Sequence, residues 1–352
     1  MAHEILEHDG VVFHGEEAWH GLGKVVADAP TPTEALEIAG LNWTVDQTPL
    51  LIERGDRTLA STPENVWETT PIESHVANVR SDTQEVLGVV GSGWTPFQNA
   101  EMAEFAEALA EGDDVVKIES AGSIRNGRKV WFLLKGESFS VRGGGIDELA
   151  PYILLSNGFD GATSFRGTPT TIRVVCSNTL HMVIPKGNDA SGSVKLSEAA
   201  FVFRHTAGLS ERLDEAKNCL ALYGRSLAKQ RELIDTLAGI DVNSDGVKKF
   251  FLDCYTHDFG AVAETPTTKV EENRRNRAME GFNAFAKRFD SERDVAGTTA
   301  WNALNAYTGW LQHDKAPRVK DAAKAAESRL HSNLFGTTAA RSIKAFESAL
   351  AI

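Results

Sequence analysis

A cysteine, an asparagine and a histidine lie close together near the middle of the chain and could form a nucleophilic site. Cys176 is followed at short spacing by Asn178 and His181, and a thiol activated by a nearby imidazole is a common nucleophile. The base must lie within hydrogen-bond reach of the thiol, and closeness in sequence does not ensure that. Cys176 also follows two valines, which favours a small buried residue at the end of a strand. An enzyme built on Cys176, His181 and Asp160 is therefore an alternative and not our first hypothesis.

Four histidines lie within the first 20 residues and could bind a transition metal. They are His3, His8, His14 and His20, and imidazole clusters are common ligands of zinc and copper. Their spacings match neither a pair four residues apart on a helix nor a zinc module, and no cysteine completes a ligand set. The sequence therefore predicts no metal site at this end of the chain.

The segment Asp241–Gly246 has the first half of a calcium loop, D-x-N-x-D-G. Such a loop needs a bidentate Glu at its twelfth position, where this chain has Leu252. A turn that caps the following helix is the better interpretation. The common nucleotide-binding, hydrolase and metalloprotease motifs do not occur in the sequence either. We therefore predict a protein without catalytic residues and without a cofactor.

Basic and aromatic residues are mixed along the middle of the chain, as in proteins that bind single-stranded nucleic acid. Such proteins use cations to neutralise phosphates and aromatic rings to stack with bases. We predict that Trp131 and Phe165 stack with bases, while arginines and a lysine contact phosphates. Asn157, Asp160 and Asn178 would shape the loops at the strand ends. The candidate residues are Arg125, Arg128, Lys129, Trp131, Asn157, Asp160, Phe165, Arg166, Arg173 and Asn178, with a second basic set at Arg274 and Arg277. The alternative is that the arginines are solvated and the aromatic residues belong to the core.

The charge of the chain is distributed unevenly. The formal net charge is −13, but residues 1–114 carry −18, whereas residues 115–207 carry +4 and residues 208–352 carry +1. Phosphate contacts need Lys and Arg. A nucleic acid could therefore meet the middle segment but not the first third.

Cysteine usage and hydropathy predict a cytoplasmic location, in the host cell if a phage encodes the protein. The three cysteines, Cys176, Cys219 and Cys254, form no disulfide framework, which suits a reducing compartment. The acidic, polar N-terminus does not resemble a signal peptide. No run of about 18 apolar residues occurs, so we expect no membrane partner.

Short strands rich in Val, Ile and Trp dominate the first 207 residues. They are predicted at Asn42–Glu53, Ser74–Arg80, Glu85–Val90, Asp114–Ala121, Gly127–Lys135, Pro151–Ser156 and Thr170–Val175, each bounded by turn residues. The dipeptide Asn126-Gly127 is a strong signal for a hairpin turn. After Asn99 the apolar residues recur at helical spacing, which predicts one helix among the strands. We therefore predict an antiparallel, β-rich domain over residues 1–207.

The rest of the chain, residues 208–352, has helical periodicity and is predicted to form a second domain. A heptad pattern near residues 210–238 predicts a long helix, whose apolar side can pack within its own domain or against a second copy of the chain. Shorter helices are predicted near 246–257, 269–288, 297–313, 319–332 and 336–350. The predicted fold class is α+β, with an antiparallel β-rich N-terminal domain, a flanking helix, and an all-helical C-terminal region.

Several sequence blocks together resemble a known family. They are WHGLG at 19–23, GWTPFQN at 93–99, AGSIRNGRKVWFLLK at 121–135, NGFDG at 157–161, IRVVCSNTL at 172–180, FRHT at 203–206, TAWNALNAYTGWLQH at 299–313 and LFGTTAARSIKAFESAL at 334–350. With these blocks nearly the whole chain resembles the phage/plasmid-like protein family, domain of unknown function 932. The NGFDG block departs from the family's usual Asn-Ser-His-Asp-Gly-Ser. Gly158 and Phe159 replace its Ser-His pair, so no role of that histidine carries over.

The resemblance implies a protein of a phage, plasmid or integrated element that acts in DNA metabolism, host takeover or counter-defence. A strand-rich core with a helix beside it is also similar to ring-forming annealing proteins, and a likeness of fold does not establish function. Our first hypothesis is a non-enzymatic, phage-type protein that binds single-stranded DNA, assists annealing or recombination, and forms a homo-oligomer. The alternative is a structural or host-interaction protein, either a virion component or a counter-defence factor, that binds a host protein and no nucleic acid.

Overall fold

The computed structural model describes residues 12–14, 24–54, 68–111, 117–143, 147–173, 178–181, 184–188, 194–197, 201–206, 216–315, 325, 328–329, 332–333 and 336–352. Antiparallel sheets occupy the N-terminal half and helices dominate the C-terminal part, so the predicted α+β class is confirmed. His3, His8, His20 and Cys176 lie outside the described residues.

The strands and helices follow the predicted order, with several additions. The strands are β1 (Val12–His14), β2 (Lys24–Val26), β3 (Val45–Arg54), β4 (Glu68–Arg80), β5 (Val86–Gly91), β6 (Lys117–Ile124), β7 (Lys129–Lys135), β8 (Phe139–Ser140), β9 (Glu148–Gly158), β10 (Phe165–Arg173), β11 (Asn178–His181), β12 (Ile184–Asn188), β13 (Val194–Ser197) and β14 (Phe201–Phe203). The helices are α1 (Pro32–Ile38), α2 (Asn99–Glu111), α3 (Ala216–Ala238), α4 (Ser244–Phe259), α5 (Lys269–Ser291), α6 (Arg293–Ala296), α7 (Ala300–Gly309) and α8 (Thr337–Ala349), with a 3-10 turn at Val141–Gly143 and a π-helix at Trp310–Asp314.

The larger sheet is built around a central antiparallel set of strands. Its order is β11-β10-β9-β7-β6-β1-β2, with β14 also paired to β10 and β8 to β9. A second sheet has the order β3-β4-β5, and β12 and β13 pair with each other. Since β7 and β9 are central strands covered on both faces, they read as nearly continuous apolar runs. The sequence KVWFLLK of β7 is the clearest case.

The first hydrophobic core lies between α1, α2 and one face of the larger sheet. The apolar residues predicted to share one side of α2, namely Met102, Phe105, Ala106 and Leu109, are all buried there. α1 was not predicted, although its N-terminus has a full capping box. The Thr31 side chain accepts from the Glu34 amide, and the Glu34 carboxylate accepts from the Thr31 amide, which is a recognised helix start signal. Burial of the apolar residues of the first core holds the two sheets and α2 together.

The C-terminal region is helical as predicted, and its boundaries agree within a few residues. The Asn243 side chain accepts from the Gly246 amide at 2.8 Å and caps α4, so the turn-and-cap interpretation of this segment is confirmed. Within the predicted heptad helix near 210–238, the structure describes α3 over Ala216–Ala238. Ile234 and Leu237 of α3 are fully buried within the chain's own second core. Most of the helix predicted near 319–332 lies outside the described residues.

The second core joins the helices to the end of the sheet. Aromatic residues of α4, α5 and α7 fill it, and Val141 and Leu149 from the sheet side take part. The Trp301 indole donates to the Asp147 carboxylate at 2.8 Å, and the Arg142 amide donates to the Asp235 carboxylate at 2.6 Å. None of the helices in the described part of the chain is long and apolar enough to cross a membrane.

Candidate nucleic-acid interface

Three turns from separate strand pairs meet at one end of the two sheets. They are residues 81–85 between β4 and β5, 125–128 between β6 and β7, and 159–164 between β9 and β10. We call these three segments the turn cluster. Lys129 pairs with Gly158 in the register of β7 and β9, and the Phe159 amide donates to the Arg128 carbonyl at 2.9 Å. The RNGRK and NGFDG blocks therefore lie side by side.

The turn at residues 125–128 has the hairpin geometry that its Asn-Gly pair predicts. Asn126 and Gly127 have φ values of 60° and 93°, and the Arg128 amide donates to the Arg125 carbonyl at 3.2 Å. Two positive φ angles at the central positions are typical of a type I′ turn. A Cβ at Gly127 would lie 2.8 Å from the Trp43 ring, so a larger residue would collide at this position. The prediction of a hairpin turn here is confirmed.

Arg80 fastens this hairpin turn to the smaller sheet. Its side chain is 3% exposed and donates to both carboxylate oxygens of Asp82, at 2.7 and 2.9 Å. It also donates to the Asn126 carbonyl at 3.3 Å and lies over the Trp43 ring at 4.4 Å. The Asn126 amide group donates to Glu85 at 2.7 Å. Asp82, which binds Arg80, and Glu85, which binds Asn126, therefore both stabilise the turn at 125–128.

The NGFDG turn is shaped by Asp160, as predicted for that residue. Its carboxylate accepts from the Ala162 and Thr163 amides at 2.9 and 3.1 Å, which closes a local turn. Strand β5 approaches so closely that a Cβ at Gly88 would lie 2.7 Å from the Asp160 Cα. The Asn78 side chain donates to the Phe159 carbonyl at 2.9 Å. The smaller sheet therefore packs against the NGFDG turn and supports it.

Cations from the turn at 125–128, from β7 and from β10 gather at this end of the sheet. Arg125 and Arg128 are exposed. Burial lowers the pKa of Lys129, and the nearby Arg125 and Arg166 charges lower it further, while Asp160 opposes them. Arg166 pairs with Ser156, and Ser156 pairs with Trp131. Directly opposed residues share a face of a sheet, and so do residues two apart along a strand. Since Lys129 lies two residues before Trp131, Arg166 lies on the same face as Lys129. Arg125, Lys129 and Arg166 therefore lie near one another, and their role in binding a nucleic acid stays a prediction.

The two predicted stacking residues are buried, and this role is wrong for both. Trp131 is 2% exposed and its indole donates to Ser120 at 3.3 Å. Phe165 is fully buried against Phe97 and Phe105 of the first core. The physical reason is that Phe165 faces the first core and that Val130, Trp131 and Phe132 are buried on both faces of β7. Their rings stabilise the fold and cannot receive a base.

Asn157 also serves the fold. It is fully buried, and its side chain donates to the Phe97 carbonyl at 2.7 Å. This bond ties β9 to the segment that leads into α2. Asn157 therefore positions the segment before α2, and its predicted role in the loop at the strand end stays a prediction.

Arg173 and Asn178 lie at the far end of β10. They pair with each other, and Arg173 is seven residues from Arg166, about 23 Å along an extended strand. Their side chains are not among those described. His181 pairs with Thr170, which lies opposite Tyr152 and not Gly158, so its main chain is about 20 Å along the sheet from the turn that holds Asp160. The backbone therefore does not bring His181 and Asp160 into one pocket.

Two residues beside the turn cluster were not predicted as site residues. Trp94 is half-buried and stacks on His205 with ring centroids 4.3 Å apart. His205 is buried and contacts the Thr163 carbonyl at 3.2 Å. Burial lowers its pKa, although the Thr163 carbonyl and the Asp160 charge act in the opposite direction. Both residues belong to blocks that carry the family resemblance, GWTPFQN and FRHT, and that was the signal available in the sequence.

The second predicted basic set belongs to a different feature, a groove in the helical region. Arg274 and Arg277 line it together with Lys315 and Arg341, and its aromatic walls come from Tyr255, Phe259 and Trp310. The groove has a volume of about 710 Å³. Acidic residues at its edge are Asp258, Glu280 and Asp314. We call it the helical groove.

Comparison with known families places the chain in one of them. The model described as "Domain of unknown function (DUF932)" matches residues 86–334, which is well over half of the chain and includes two of the three turns. The chain belongs to the DUF932 family. Neither the curated proteins nor the solved structures yielded a significant match.

Proposed function

We propose that the protein binds single-stranded DNA at the turn cluster, without catalysing a reaction, and that it assists annealing or recombination as a homo-oligomer. The observation that carries this proposal is the gathering of Arg125 from a turn, Lys129 from β7 and Arg166 from β10, with Arg128 exposed beside them. Phosphates of one strand could contact these residues in succession. Such contacts dominate the affinity of nucleic-acid binding. Annealing or recombination of DNA would fit a protein encoded by a phage or another mobile element.

The acidity of the first third does not prevent binding at this site. Turn 81–85 is the part of the cluster that belongs to that third, and both of its carboxylates are hydrogen-bonded within the protein. Asp82 is bound by Arg80 at two atoms, and Glu85 accepts from Asn126. Asp160 likewise accepts two backbone amides. Arg80 offsets the charge of Asp82, and the four cations Arg125, Arg128, Lys129 and Arg166 outnumber the remaining carboxylates, Glu85 and Asp160, so the cluster keeps a positive balance.

Trp94 offers the stacking surface that the buried rings cannot. One face of its ring lies on His205, and the half-buried ring also packs against the first core, so the ring is held in place and we expect its exposed part to contact a base. Stacking on an aromatic ring contributes about 1–3 kcal/mol per base and tolerates any sequence. A duplex keeps its bases stacked internally, so a contact of this kind favours single strands.

Fluorescence anisotropy with a labelled single-stranded oligonucleotide tests the proposal. Four phosphate contacts predict a salt exponent of about −2.8, and Arg128→Gln should reduce it to about −2.1, because each contact on a single strand contributes about 0.7. Trp94→Leu should weaken binding about tenfold. Lys269→Gln removes an exposed cation of α5 that pairs with Glu272, and this control should bind like the wild type. An equal loss in Lys269→Gln and Arg128→Gln would contradict a site at the turn cluster.

A protein-interaction role without DNA is favoured by one other feature, the far half of the β3–β4 hairpin. Leu50–Arg54 pairs with Glu68–Ile72 beyond the reach of β5, and Leu51 and Ile52 are 58% and 43% exposed. Two-stranded hairpins are marginally stable alone in water, so a protein partner would stabilise this one. Leu51→Glu separates the two roles, since it should abolish capture of a host protein while leaving oligonucleotide binding unchanged. Loss of oligonucleotide binding in that variant would contradict this assignment.

A further inference from the structure

A second groove, between α4 and α5, carries an inference that is independent of the turn cluster. Residues of α4, of α5 and of the loop between them line it, and on α4 the lining extends over residues 248–256, about 12 Å at 1.5 Å per residue. Its volume of about 610 Å³ is within the range of roughly 300–1,000 Å³ that is usual for small-ligand sites. It shares no lining residue with the helical groove, and we call it the α4–α5 groove.

The walls of the α4–α5 groove are apolar and accessible. Leu252 of α4 and Phe282 of α5 are half-buried, and Met279 of α5 is 57% exposed. Met279 and Phe282 are three residues apart, so they are neighbours on the helix. Phe282 packs on Phe251 of the second core with ring centroids 5.4 Å apart, which fixes its position in the wall. Apolar side chains that are exposed together mark interaction sites, and the flexible thioether of methionine adapts to different ligand shapes.

Hydrogen bonds from α5 hold the loop that forms the third wall. At residues 262–263 this loop is half-buried and lines the groove. The Arg274 side chain donates to the Ala261 carbonyl at 3.2 Å. The Arg275 side chain donates to the Glu264 carbonyl at 2.6 Å. The groove is therefore formed before a ligand arrives, and less conformational entropy is lost on binding.

The two helices run in opposite directions along the groove. Arg274, near the start of α5, contacts the loop after α4, whereas Phe251, in the middle of α4, packs on Phe285 in the second half of α5. Lys248 lies about one turn before Phe251, and Asn283 lies two residues before Phe285. Lys248 and Asn283 therefore line the same end of the groove.

This end of the α4–α5 groove is cationic. Lys248 of α4 and Lys287 of α5 are exposed, and neither forms an ion pair within the described part of the chain. Lys287 is four residues after Asn283, so the two are neighbours on α5. At the other end, the charge of Arg275 is offset by that of Glu264, since both residues line the groove. The groove therefore combines a positive charge at one end with an apolar wall along its length.

We propose that the α4–α5 groove binds a free medium-chain fatty acid. The carboxylate contacts Lys248 and Asn283, because an ammonium group donates charge-assisted hydrogen bonds and an amide group is a second donor. The aliphatic chain lies along Leu252, Met279 and Phe282, where its burial supplies most of the affinity. The site does not use the turn cluster, so it does not depend on DNA binding there.

Isothermal titration calorimetry of the full chain with decanoate, octanoate and 1-octanol, below the concentrations at which micelles form, tests this site. Decanoate should bind about tenfold more tightly than octanoate, because each buried methylene raises the affinity about three- to fourfold. 1-Octanol should bind about fivefold more weakly than octanoate, because it lacks the charge that meets Lys248.

Two pairs of variants locate the chain and the carboxylate. Met279→Glu should weaken decanoate binding at least about tenfold, because a charge enters the apolar wall. Val270→Glu is its control, since Val270 is 67% exposed on the same helix but lies nine residues away, on the opposite side. Lys248→Gln should weaken decanoate binding about fivefold and leave 1-octanol binding unchanged. Lys249→Gln is its control, because Lys249 is also exposed but does not line the groove.

The outcomes separate this site from the turn cluster. Arg128→Gln should leave decanoate binding unchanged, and Met279→Glu should leave the oligonucleotide affinity unchanged. Decanoate that binds no more tightly than octanoate would overturn the proposal, as would equal losses in Met279→Glu and Val270→Glu or in Lys248→Gln and Lys249→Gln. Binding to phosphatidylglycerol vesicles without binding of free decanoate would also overturn it, because the groove would then face a membrane surface.

Discussion

Replacing Arg80 by Met is the perturbation that the structure specifies best. Arg80 is 3% exposed at its side chain, binds both oxygens of Asp82, and lies 4.4 Å from the Trp43 ring centroid. Hydrogen bonds to a charged partner contribute roughly 1.5–3 kcal/mol, and a partly desolvated cation–π contact adds about 1 kcal/mol. Asp82 is 47% exposed and regains water when Arg80 is removed, so the larger cost of leaving a buried charge does not apply. We therefore expect Arg80→Met to lower the free energy of unfolding by about 3 kcal/mol.

Urea unfolding followed by tryptophan fluorescence measures this change. The matched control is Lys229→Met, which removes an ion pair with the same 2.7 Å separation but with side chains 42% and 66% exposed. Exposed pairs contribute about 0–1 kcal/mol, so the control should stay close to the wild type. If Arg80→Met lost no more stability than Lys229→Met, Arg80 would not be the link between the smaller sheet and the hairpin turn.

The pH dependence of the free energy of unfolding gives a second test of the Arg80–Asp82 pair. The hydrogen bond from Arg80 is the largest cause that holds the pKa of Asp82 below its ordinary value of 3.8. A carboxylate with a depressed pKa stabilises the folded state above its unfolded pKa, and this contribution is lost as the pH falls through the folded pKa. The stability difference between wild type and Arg80→Met should therefore shrink as the pH falls below 3.8. A difference that grew in acid would contradict the assignment.

Further predictions concern the turn, the core and a buried histidine. Gly127→Ala should lower the melting temperature measured by circular dichroism, because φ is 93° and the new Cβ would lie 2.8 Å from Trp43; an unchanged melting temperature would contradict this geometry. Phe165→Ala should cost about 3–5 kcal/mol in urea unfolding because the ring is fully buried. A mild loss of stability together with strongly reduced DNA binding would instead return Phe165 to the interface. Burial, with Arg288, lowers the pKa of His313 to about 4, so stability should fall as the pH drops from about 6.5 towards 4. His313→Gln should flatten that part of the stability curve, and an unchanged slope would show that His313 is not responsible.

Local signals predicted the elements that depend on neighbouring residues. The Asn126-Gly127 turn, the buried side of α2 and the Asn243 cap all follow from short-range chemistry, and each is present. The capping box of α1 was also readable, since Thr-Pro-Thr-Glu at residues 31–34 is a helix start signal. These features need no knowledge of which strands pair.

The errors at the candidate site came from contacts that are distant in sequence. The mixture of basic and aromatic residues predicts a stacking role for Trp131, but the continuous apolar run of β7 indicates burial on both faces. The convergence of the turn cluster depends on the register of β7 with β9 and on the Arg80 contact, and neither has a signature in a single sequence. Trp94 lies in a strong sequence block, but its contact with His205 joins residues more than 100 positions apart.

Binding of a labelled single-stranded oligonucleotide at 50 mM and at 200 mM salt tests the central claim most directly. Four phosphate contacts at Arg125, Arg128, Lys129 and Arg166 predict that the affinity falls about 50-fold between the two concentrations. Absence of binding at 50 mM salt, or an affinity that does not change with salt, would contradict a nucleic-acid interface at the turn cluster.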